Sequence, residues 1–379
     1  MPAWGVGERL VKMQFPLSSR NRKSPFYEAQ VRHGMTHFSI YNHMVLPVSF
    51  GDLDAEYEAL MERVSLWDVG AERQVEVVGP DALPLIQYVS ARDMSDCRIG
   101  RVRYAPLCDN DGIMLNDPMI LKLAEDRYWI SIADSDVLFW CKGIALAKSY
   151  DCEIFEPDVS PLAVQGPRAE DTVADYLGEW VRDIPFFGFE DIEHDGIPMV
   201  VCRSGWSGQG GFELFLQDGS KGLELWDAVW KAGEKYGIHP GAPTSLERIE
   251  SGLFSYRGDC GGSATPLEVG LEKYLSLDRQ DDFIGKEALQ AEKERGSSRR
   301  LVKVLLSGER MQFSSEHPWP AFNTEGGKVG EIRMASWSPL HDSNLALALV
   351  STSVVGGSFF TETPEGERLE ATHLSMFPE

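Results

Sequence analysis

The sequence predicts an α+β protein that ends in a small all-β domain. Up to about residue 290, apolar residues follow a helical period in some segments and alternate as in strands in others. The last eighty or so residues contain short apolar runs separated by glycine, proline and asparagine, which is typical of a small antiparallel barrel. At 379 residues the chain is longer than one ordinary core, so we expect two or three domains.

The first half of the chain predicts mixed elements after a basic, irregular N-terminal arm over residues 1–36. DAEYEALMERVSLWDV predicts a helix followed by a strand, ERQVEVVG a strand, and PDALPLIQYVSARDM a helix. RVRYAPLCDNDGIMLNDPMILKL predicts two strands joined by a DNDG turn. YWISIA is a further strand, and Asp134 or Ser135 is expected to cap the helix DVLFWCKGIALAKSY.

The second half begins with EIFEPDVSPLAVQGP, which is strand-like, and RAEDTVADYLGEW, which is helical. MVVC and FELFL flank the loop RSGWSGQGG, and this arrangement predicts a hairpin. GLELWDAVWKAGEKYG predicts an amphipathic helix with Leu223, Trp226 and Trp230 on its apolar stripe. Thr244 and Glu247 form a candidate capping box.

A polar stretch, QAEKERGSSRRL, predicts a domain boundary near residues 291–300. Beyond it, VKVLLSG, KVGEIRMAS, NLALALVS and SFFTE predict the strands of the barrel. We therefore place the C-terminal β-barrel domain at residues 300–379.

Composition excludes several classes of protein. A content of 43% hydrophobic and 25% charged residues is that of a globular protein, and the net charge of −23 argues against a nucleic-acid partner. The six cysteines show no C-x-x-C, so we expect reduced, packed thiols and no metal site. The N-terminus lacks a long apolar region, and the stretch VLFWCKGIALA is too short to span a membrane. A cytoplasmic protein is expected.

The two hairpins carry unusual polar residues. Asn116 and Asp117 precede a proline inside an apolar strand, and Glu213 lies among Phe and Leu in the return strand of the glycine loop. Alternation alone favours a solvent-facing Glu213. The alternative is a buried carboxylate that accepts hydrogen bonds from the ring N–H groups of a ligand. In that case the four glycines would let the backbone approach a flat ligand closely.

Aromatic and polar residues elsewhere leave the ligand open. Trp206 supplies either a stacking face or a core side chain. Tyr41, Asn42 and His43 form a polar group before an apolar run, where a histidine is more often structural than catalytic. From the residues alone we expect a pocket with two carboxylates and aromatic side chains.

Several motifs resemble, in order, those of one family. Five segments carry this resemblance: WDVGAERQVEVVGPDA, RYAPLCDNDGIMLNDPMI, SGWSGQGGFEL, LERIESGL and VGEIRMASWSPLHDSNLALALV. They resemble segments of the glycine-cleavage T-protein family, the folate-dependent aminomethyltransferases. The resemblance runs from about residue 34 to residue 350. It implies a three-domain cloverleaf, in which two α+β folate-binding subdomains within residues 37–290 surround a central channel and the barrel forms the third leaf.

The resemblance also implies a tetrahydrofolate site. Asp117 matches the second Asp of the paired-Asp motif, Tyr104 its upstream tyrosine, Trp206 the tyrosine of the glycine loop, and Glu213 the terminal Glu of that loop. These residues are the candidates for binding the cofactor, with Glu213 receiving the N–H edge of the pterin.

Departures from the aminomethyltransferase pattern favour a free small-molecule donor. The loop reads SGWSGQG, and Pro243 stands where those enzymes usually carry an arginine. These segments, with IYNHMVLPVSFG, NDPM, WISIADSDV and FFGF, resemble a branch that demethylates sulfonium compounds. The resemblance implies methyl transfer from sulfonium sulfur to N5 of tetrahydrofolate, without a metal and without a lipoyl carrier protein.

In this interpretation Asp117 is the catalytic residue, as a proton acceptor or as an electrostatic stabiliser. Tyr41, His43 and Trp206 are expected to contact the donor, and His43 or Arg73 to hold its carboxylate. Three alternatives stay open: an aminomethyltransferase of glycine cleavage, a folate-dependent O-demethylase, and a folate-binding regulatory protein without chemistry. The sequence makes no prediction of the oligomeric state.

Overall fold

The computed structural model describes residues 17–311, 314–315 and 317–376. The helices of this part are α1 Tyr27–Arg32, α2 Leu53–Glu62, α3 Ala82–Val89, α4 Val137–Lys148, α5 Ala169–Leu177, α6 Gly222–Gly233, α7 Ser245–Glu250 and α8 Lys286–Arg295. Short single turns occupy Glu179–Asp183, Gly219–Lys221, Glu234–Tyr236, Glu272–Tyr274 and Thr352–Val354, and a π-helical segment covers Tyr256–Cys260.

The strands are numbered in chain order. In the N-terminal half they are β1 His37–Tyr41, β2 Met44–Ser49, β3 Val64–Asp68, β4 Gln74–Val78, β5 Arg101–Tyr104, β6 Leu107–Cys108, β7 Met114–Asn116, β8 Met119–Ala124, β9 Arg127–Ser131 and β10 Glu153–Phe155. The later strands are β11 Ser160–Gln165, β12 Phe189–His194, β13 Ile197–Cys202, β14 Gly211–Leu216, β15 Ile238–Gly241, β16 Arg299–Leu306, β17 Trp319–Asn323, β18 Lys328–Ser338, β19 Ser343–Ser351, β20 Phe359–Glu362 and β21 Arg368–Leu374.

Two antiparallel sheets form the α+β body. One has the strand order β10-β4-β9-β8-β5 and the other β12-β13-β14-β11-β3-β15, in which only the β15–β3 pair is parallel. The chain leaves the second sheet after β3, builds the first, and returns at β11. Each sheet has its own core of buried apolar side chains, and helices α5 and α6 cover the second.

The N-terminal segment contributes to the core. Phe26 and Ala29 are fully buried, and the Phe26 ring lies 6.4 Å from the Trp226 ring, centroid to centroid. The predicted irregular arm over residues 1–36 is therefore wrong for α1, while residues 1–16 lie outside the described residues.

Helix α6 buries a different stripe from the one predicted. Leu225, Trp226 and Val229 are fully buried and Trp230 is half-buried, but Leu223 is 41% exposed. The sequence prediction chose Leu223 because it has helical spacing with Trp226 and Trp230, but Leu225 is the leucine on the buried side of the helix. The capping box of Thr244 and Glu247 before α7 is confirmed.

The DNDG hairpin is present but divided. Strands β6 and β7 pair next to the turn, and β5 and β8 pair farther away within the five-stranded sheet. The interruption falls at Asp117 and Pro118, because proline cannot donate a backbone hydrogen bond within a sheet. Helix α4 begins after Asp136, which makes no side-chain cap, so the predicted caps Asp134 and Ser135 are wrong.

The C-terminal strands close into an antiparallel barrel of order β16-β19-β18-β17-β20-β21, and the predicted fold class is confirmed. Strands β17 and β21 were not predicted. Leucines on the outer face of the barrel pack against the body, in one cluster with Ile249, Tyr256 and Cys260. The buried Lys303 donates to the backbone carbonyl of Glu250 (3.2 Å), which ties the barrel to α7. Among the described residues, none of the helices has the length and apolar character needed to cross a membrane.

The α6 stripe predicts unequal effects of two truncations. Trp226→Ala should lower the free energy of unfolding by about 3–5 kcal/mol, because it leaves a cavity in the core. Leu223→Ala, a control on the exposed side of the same helix, should change it by less than about 0.5 kcal/mol. Chemical denaturation measures both, and equal losses would contradict the assigned stripe.

Candidate active site

Three carboxyl groups from different elements meet beside two tyrosines. Asp117 comes from the break between β7 and β8, Glu213 from β14, and Glu72 from the connection between β3 and β4. Tyr41 ends β1 and Tyr104 ends β5. Asp117 and Glu213 both act electrostatically on Glu72, so we treat Glu72, Asp117 and Glu213 together as the acidic cluster.

Glu213 is buried rather than solvent-facing. It lies in an interior strand of the sheet, opposite Ala163 of β11 and Cys202 of β13, and its exposure is only 3%. The Ser204 hydroxyl donates a hydrogen bond to Oε2. Burial raises the pKa of Glu213 to about 7. The surface alternative for this residue is therefore wrong.

Asp117 accepts a hydrogen bond from the Tyr104 hydroxyl at 2.8 Å through Oδ2. Burial raises the pKa of Asp117 to about 7, partly offset by that hydrogen bond. The neighbouring Asn116 is fully buried and structural: its amide donates to the Ala133 carbonyl (3.0 Å) and to the Ser135 hydroxyl (2.8 Å). The sequence thus places two polar side chains in succession, one that fixes the strand and one that faces the site.

Glu72 was missed by the sequence analysis. Within the described part of the chain, its side chain makes no hydrogen bond or ion pair. Burial raises its pKa well above the usual value, and the charges of Glu213 and Asp117 raise it further. No cation is among the groups that shift the pKa of any of the three carboxyls. Burial therefore favours the neutral forms of the acidic cluster, and no described cation stabilises the ionised forms.

The turn after β1 places Tyr41 at this cluster. Asn42 adopts a positive φ of 48°, and its amide donates to the Ala71 carbonyl (3.0 Å), which joins the turn to the segment that carries Glu72. Burial raises the pKa of Tyr41, and the charges of Glu72 and Asp117 raise it further. His43 is exposed at the same turn with a φ of 63°. Its predicted contact with a donor stays a prediction.

The glycine loop has a different explanation from the predicted one. A Cβ at Gly205 would lie 2.1 Å from Oε1 of the buried Gln165, and one at Gly211 would lie 2.2 Å from the Val164 carbonyl. At Gly208 the obstacle is the Ser251 hydroxyl, at 2.3 Å. The glycines let the loop pack onto its own protein neighbours, so the prediction that their backbone makes room for the ligand is wrong at these three positions.

Trp206 is held in place by two contacts. Its indole N–H donates to the Phe254 carbonyl (3.1 Å), and the guanidinium carbon of Arg248 lies 5.5 Å from its ring centroid. Arg248 in turn forms two hydrogen bonds with Asp259, at 2.8 and 2.9 Å, in a fully buried ion pair. The ring of Trp206 is therefore already in contact with a cation of the protein itself, the Arg248 guanidinium.

Arg73 is not part of this site. It pairs with Glu156, which also binds Arg22 at 2.5 Å. These residues line a cavity of about 300 Å³ whose lining includes neither Asp117 nor Glu213. The prediction that Arg73 holds a donor carboxylate is wrong, because the guanidinium already has a carboxylate partner.

The acidic cluster fits a ligand with ring N–H groups. The described hydrogen bonds use only Oε2 of Glu213 and only Oδ2 of Asp117, which leaves one carboxylate oxygen of each to accept from a ligand. Buried carboxylate oxygens need such donors. A pterin presents N–H groups along one edge, so the donor set matches the chemistry of the site.

Comparisons with known proteins agree with this architecture. The dimethylsulfoniopropionate demethylase DmdA of Ruegeria pomeroyi is 43% identical over 356 residues, which cover 93% of this chain and 96% of the relative. An aminomethyltransferase of Desulfitobacterium hafniense (strain Y51) is 30% identical over 87% of this chain and 90% of its own. The crystal structure of glycine cleavage system aminomethyltransferase T from Bartonella henselae matches the fold with a TM-score of 0.84 at 21% identity, over 93% of this chain and 97% of that one.

A family model also matches the chain directly. The GCVT N-terminal domain model covers residues 26–279, which include both sheets and the whole acidic cluster. The family resemblance predicted from the sequence is thus confirmed. This chain belongs to the GCVT family, that of the glycine-cleavage T-protein aminomethyltransferases.

Proposed function

We propose that this chain is a tetrahydrofolate-dependent methyltransferase that moves a methyl group from dimethylsulfoniopropionate to N5 of tetrahydrofolate. The products are methylmercaptopropionate and 5-methyltetrahydrofolate. The C–S bond breaks with its electron pair remaining on sulfur, a C–N bond forms, and the proton on N5 leaves. The similarity to DmdA over nearly the whole of both chains supports this reaction.

The observation that carries the proposal is the acidic cluster, three carboxyl groups whose ionised forms no described cation stabilises. Burial raises the pKa of each group, and the charges of Asp117 and Glu213 raise the pKa of Glu72 further. A cationic sulfonium would stabilise the ionised forms of these carboxyls. A neutral aryl ether would not, so the charge favours a sulfonium donor over the O-demethylase alternative.

In the proposed complex, Glu213 accepts the N–H edge of the pterin, and Ser204 keeps its second oxygen occupied. Tyr104 holds Asp117 through Oδ2 and leaves Oδ1 toward the reacting atoms. Tetrahydrofolate supplies the nucleophilic nitrogen when it is bound. The ring of Trp206 is fixed by Arg248 and Phe254, and we assign the sulfonium face to Tyr41 because a cation already lies on Trp206.

The protein's main contribution is alignment. The methyl group is activated by the positive charge on sulfur, so the chain must hold nitrogen, carbon and sulfur in line at a near-attack distance. Asp117 is placed to receive the proton or to stabilise the charge as it moves from sulfur to nitrogen. Tyr41 must hold the sulfonium weakly, because equal stabilisation of the ground state would not raise the rate.

The aminomethyltransferase alternative requires a lipoyl-bearing partner. Pro243, directly before the N-cap of α7, stands where the sequence analysis expects the arginine of those enzymes. The identity to DmdA is also higher than the identity to the aminomethyltransferase of D. hafniense. We therefore propose a free donor and no carrier protein; tetrahydrofolate that is converted only when an aminomethyl-loaded lipoyl carrier is supplied, with 5,10-methylenetetrahydrofolate as the product, would contradict it.

Asp117→Asn should lower kcat by about 10²–10⁴-fold, the range for loss of a general acid–base group. The substitution keeps the shape and the Tyr104 hydrogen bond, so folate affinity and thermal stability should change little. Mass-spectrometric detection of 5-methyltetrahydrofolate measures turnover, and circular dichroism checks folding. Wild-type turnover in the variant would remove Asp117 from the chemistry.

The pH dependence of kcat/KM for the donor should report the same carboxyl, because kcat/KM reflects the pKa of the enzyme before the donor binds. Burial raises the pKa of Asp117 to about 7, so the ionised form that accepts a proton is lost as pH falls through about 7. We expect kcat/KM to decrease below that pH in the wild type and to depend less on pH in Asp117→Asn. Fixed-time assays between pH 5.5 and 8.5, at saturating tetrahydrofolate, test this; a wild-type kcat/KM that is flat across that range would contradict it.

Glu213→Gln should weaken tetrahydrofolate binding by about 1–3 kcal/mol, because the pterin N–H groups lose a charged acceptor. Glu193→Gln is a matched control on exposed β12 of the same sheet and should bind folate as the wild type does. Fluorescence titration measures both affinities. If Glu213→Gln and the control bind equally, the pterin is not anchored at Glu213.

A further inference from the structure

An arginine lies beside the acidic site with an uncommitted guanidinium. Arg257 belongs to the π-helical segment Tyr256–Cys260, and its Nε donates to the Asp134 carbonyl at 3.1 Å. Its guanidinium carbon lies 5.4 Å from the centroid of the Tyr256 ring. The side chain is exposed, and no carboxylate of the described residues lies within ion-pair distance of it.

One chain of hydrogen bonds and one electrostatic effect connect this arginine to the residues of the proposed site. Asp134, whose carbonyl binds Arg257, accepts the backbone N–H of Asn42 through Oδ1 at 2.9 Å, next to Tyr41. On the other side, Arg257 and Asp117 both act on the phenol of Tyr256, with opposite effects on its pKa. Asp134 and Asn42 thus connect Arg257 to the turn of Tyr41, and the Tyr256 phenol lies within the electrostatic reach of both Arg257 and Asp117.

The other arginines around the site already have partners. Arg248 is bound at both Nη atoms by Asp259, and Arg73 is paired with Glu156. Arg92 donates to a backbone carbonyl of β5 at 2.9 Å. Of these arginines, Arg257 is the one whose two Nη groups have no described hydrogen bond.

We propose that Arg257 determines donor specificity by binding the carboxylate of the zwitterionic methyl donor while the acidic cluster faces its sulfonium. The inference rests on the proposed function and names a residue for the end of the donor that Arg73 cannot hold. The two charges of the donor are separated by two methylene groups. The acidic cluster repels the carboxylate, so that end must point toward a cation, and a guanidinium fork matches a carboxylate in two parallel hydrogen bonds.

The backbone under Arg257 is fixed in advance. Asp259 accepts the Ser255 backbone N–H at 2.7 Å and holds Arg248, so both ends of the segment are tied to a buried ion pair. The hydrogen bond from Nε to Asp134 leaves the two Nη groups as the free edge of the side chain. Binding a carboxylate there would order few additional groups, which favours affinity.

The test compares two donors and three proteins. Dimethylsulfoniopropionate and its methyl ester carry the same sulfonium, but only the acid has a carboxylate. In Arg257→Met, kcat/KM for the acid should fall roughly 10- to 100-fold, the range for hydrogen bonds to a charged group, while kcat/KM for the ester stays unchanged. Arg295→Met, an exposed arginine in the last turn of α8, should leave both values unchanged.

Each other outcome has a distinct meaning. Equal loss of kcat/KM with the acid and the ester would show that Arg257 supports only the local structure. Unchanged kcat/KM with both donors would show that the carboxylate binds elsewhere. Either result would overturn this inference and leave the proposed function intact. Wild-type protein that forms no 5-methyltetrahydrofolate from either donor would overturn the proposed function and this inference with it. Tetrahydrofolate affinity, measured by fluorescence titration, should be the same in all three proteins.

Discussion

The site depends on one electrostatic constraint: three carboxyl groups are held together without a cation among them. Burial disfavours the ionised form of each group, and the charges of Asp117 and Glu213 disfavour the ionised form of Glu72 further. The fold tolerates this because hydroxyl donors satisfy one oxygen on Asp117 and one on Glu213. A ligand that brings N–H groups and positive charge would satisfy the remaining oxygens, so the same constraint that destabilises the free site favours its complex.

The surrounding structure holds these groups in place through contacts that carry no chemistry themselves. Asn42 fixes the turn of Tyr41 to the segment before Glu72, and Asn116 fixes the strand break that exposes Asp117. The buried pair of Arg248 and Asp259 fixes the segment next to Trp206. Removing one partner of such a pair leaves a buried charge, which is strongly destabilising. These residues are therefore structural supports of the site.

The two-sheet body carries the acidic cluster, and the barrel supports a segment beside it. Asp117 and Tyr104 come from the five-stranded sheet and its hairpin, whereas Glu213 comes from the six-stranded sheet. Glu72 lies on the connection between the two sheets, so the acidic cluster forms only when both sheets are assembled. The barrel packs on the segment that includes Tyr256, and it thereby supports the region of Arg257. Such an arrangement suits alignment of two substrates, since each sheet fixes a different part of the site.

The order and type of most elements, the barrel, the capping box of α7 and the family could all be predicted from the amino-acid sequence. Those features depend on local periodicity, turn residues and motif order, which are readable along the chain. Glu72, Arg257 and the role of the glycines were decided only by the tertiary structure. Glu72 and Arg257 look like ordinary surface charges in sequence, because what distinguishes them is which distant groups lie beside them. The glycines signalled close approach, but only the folded chain shows that the neighbours are Gln165, Val164 and Ser251.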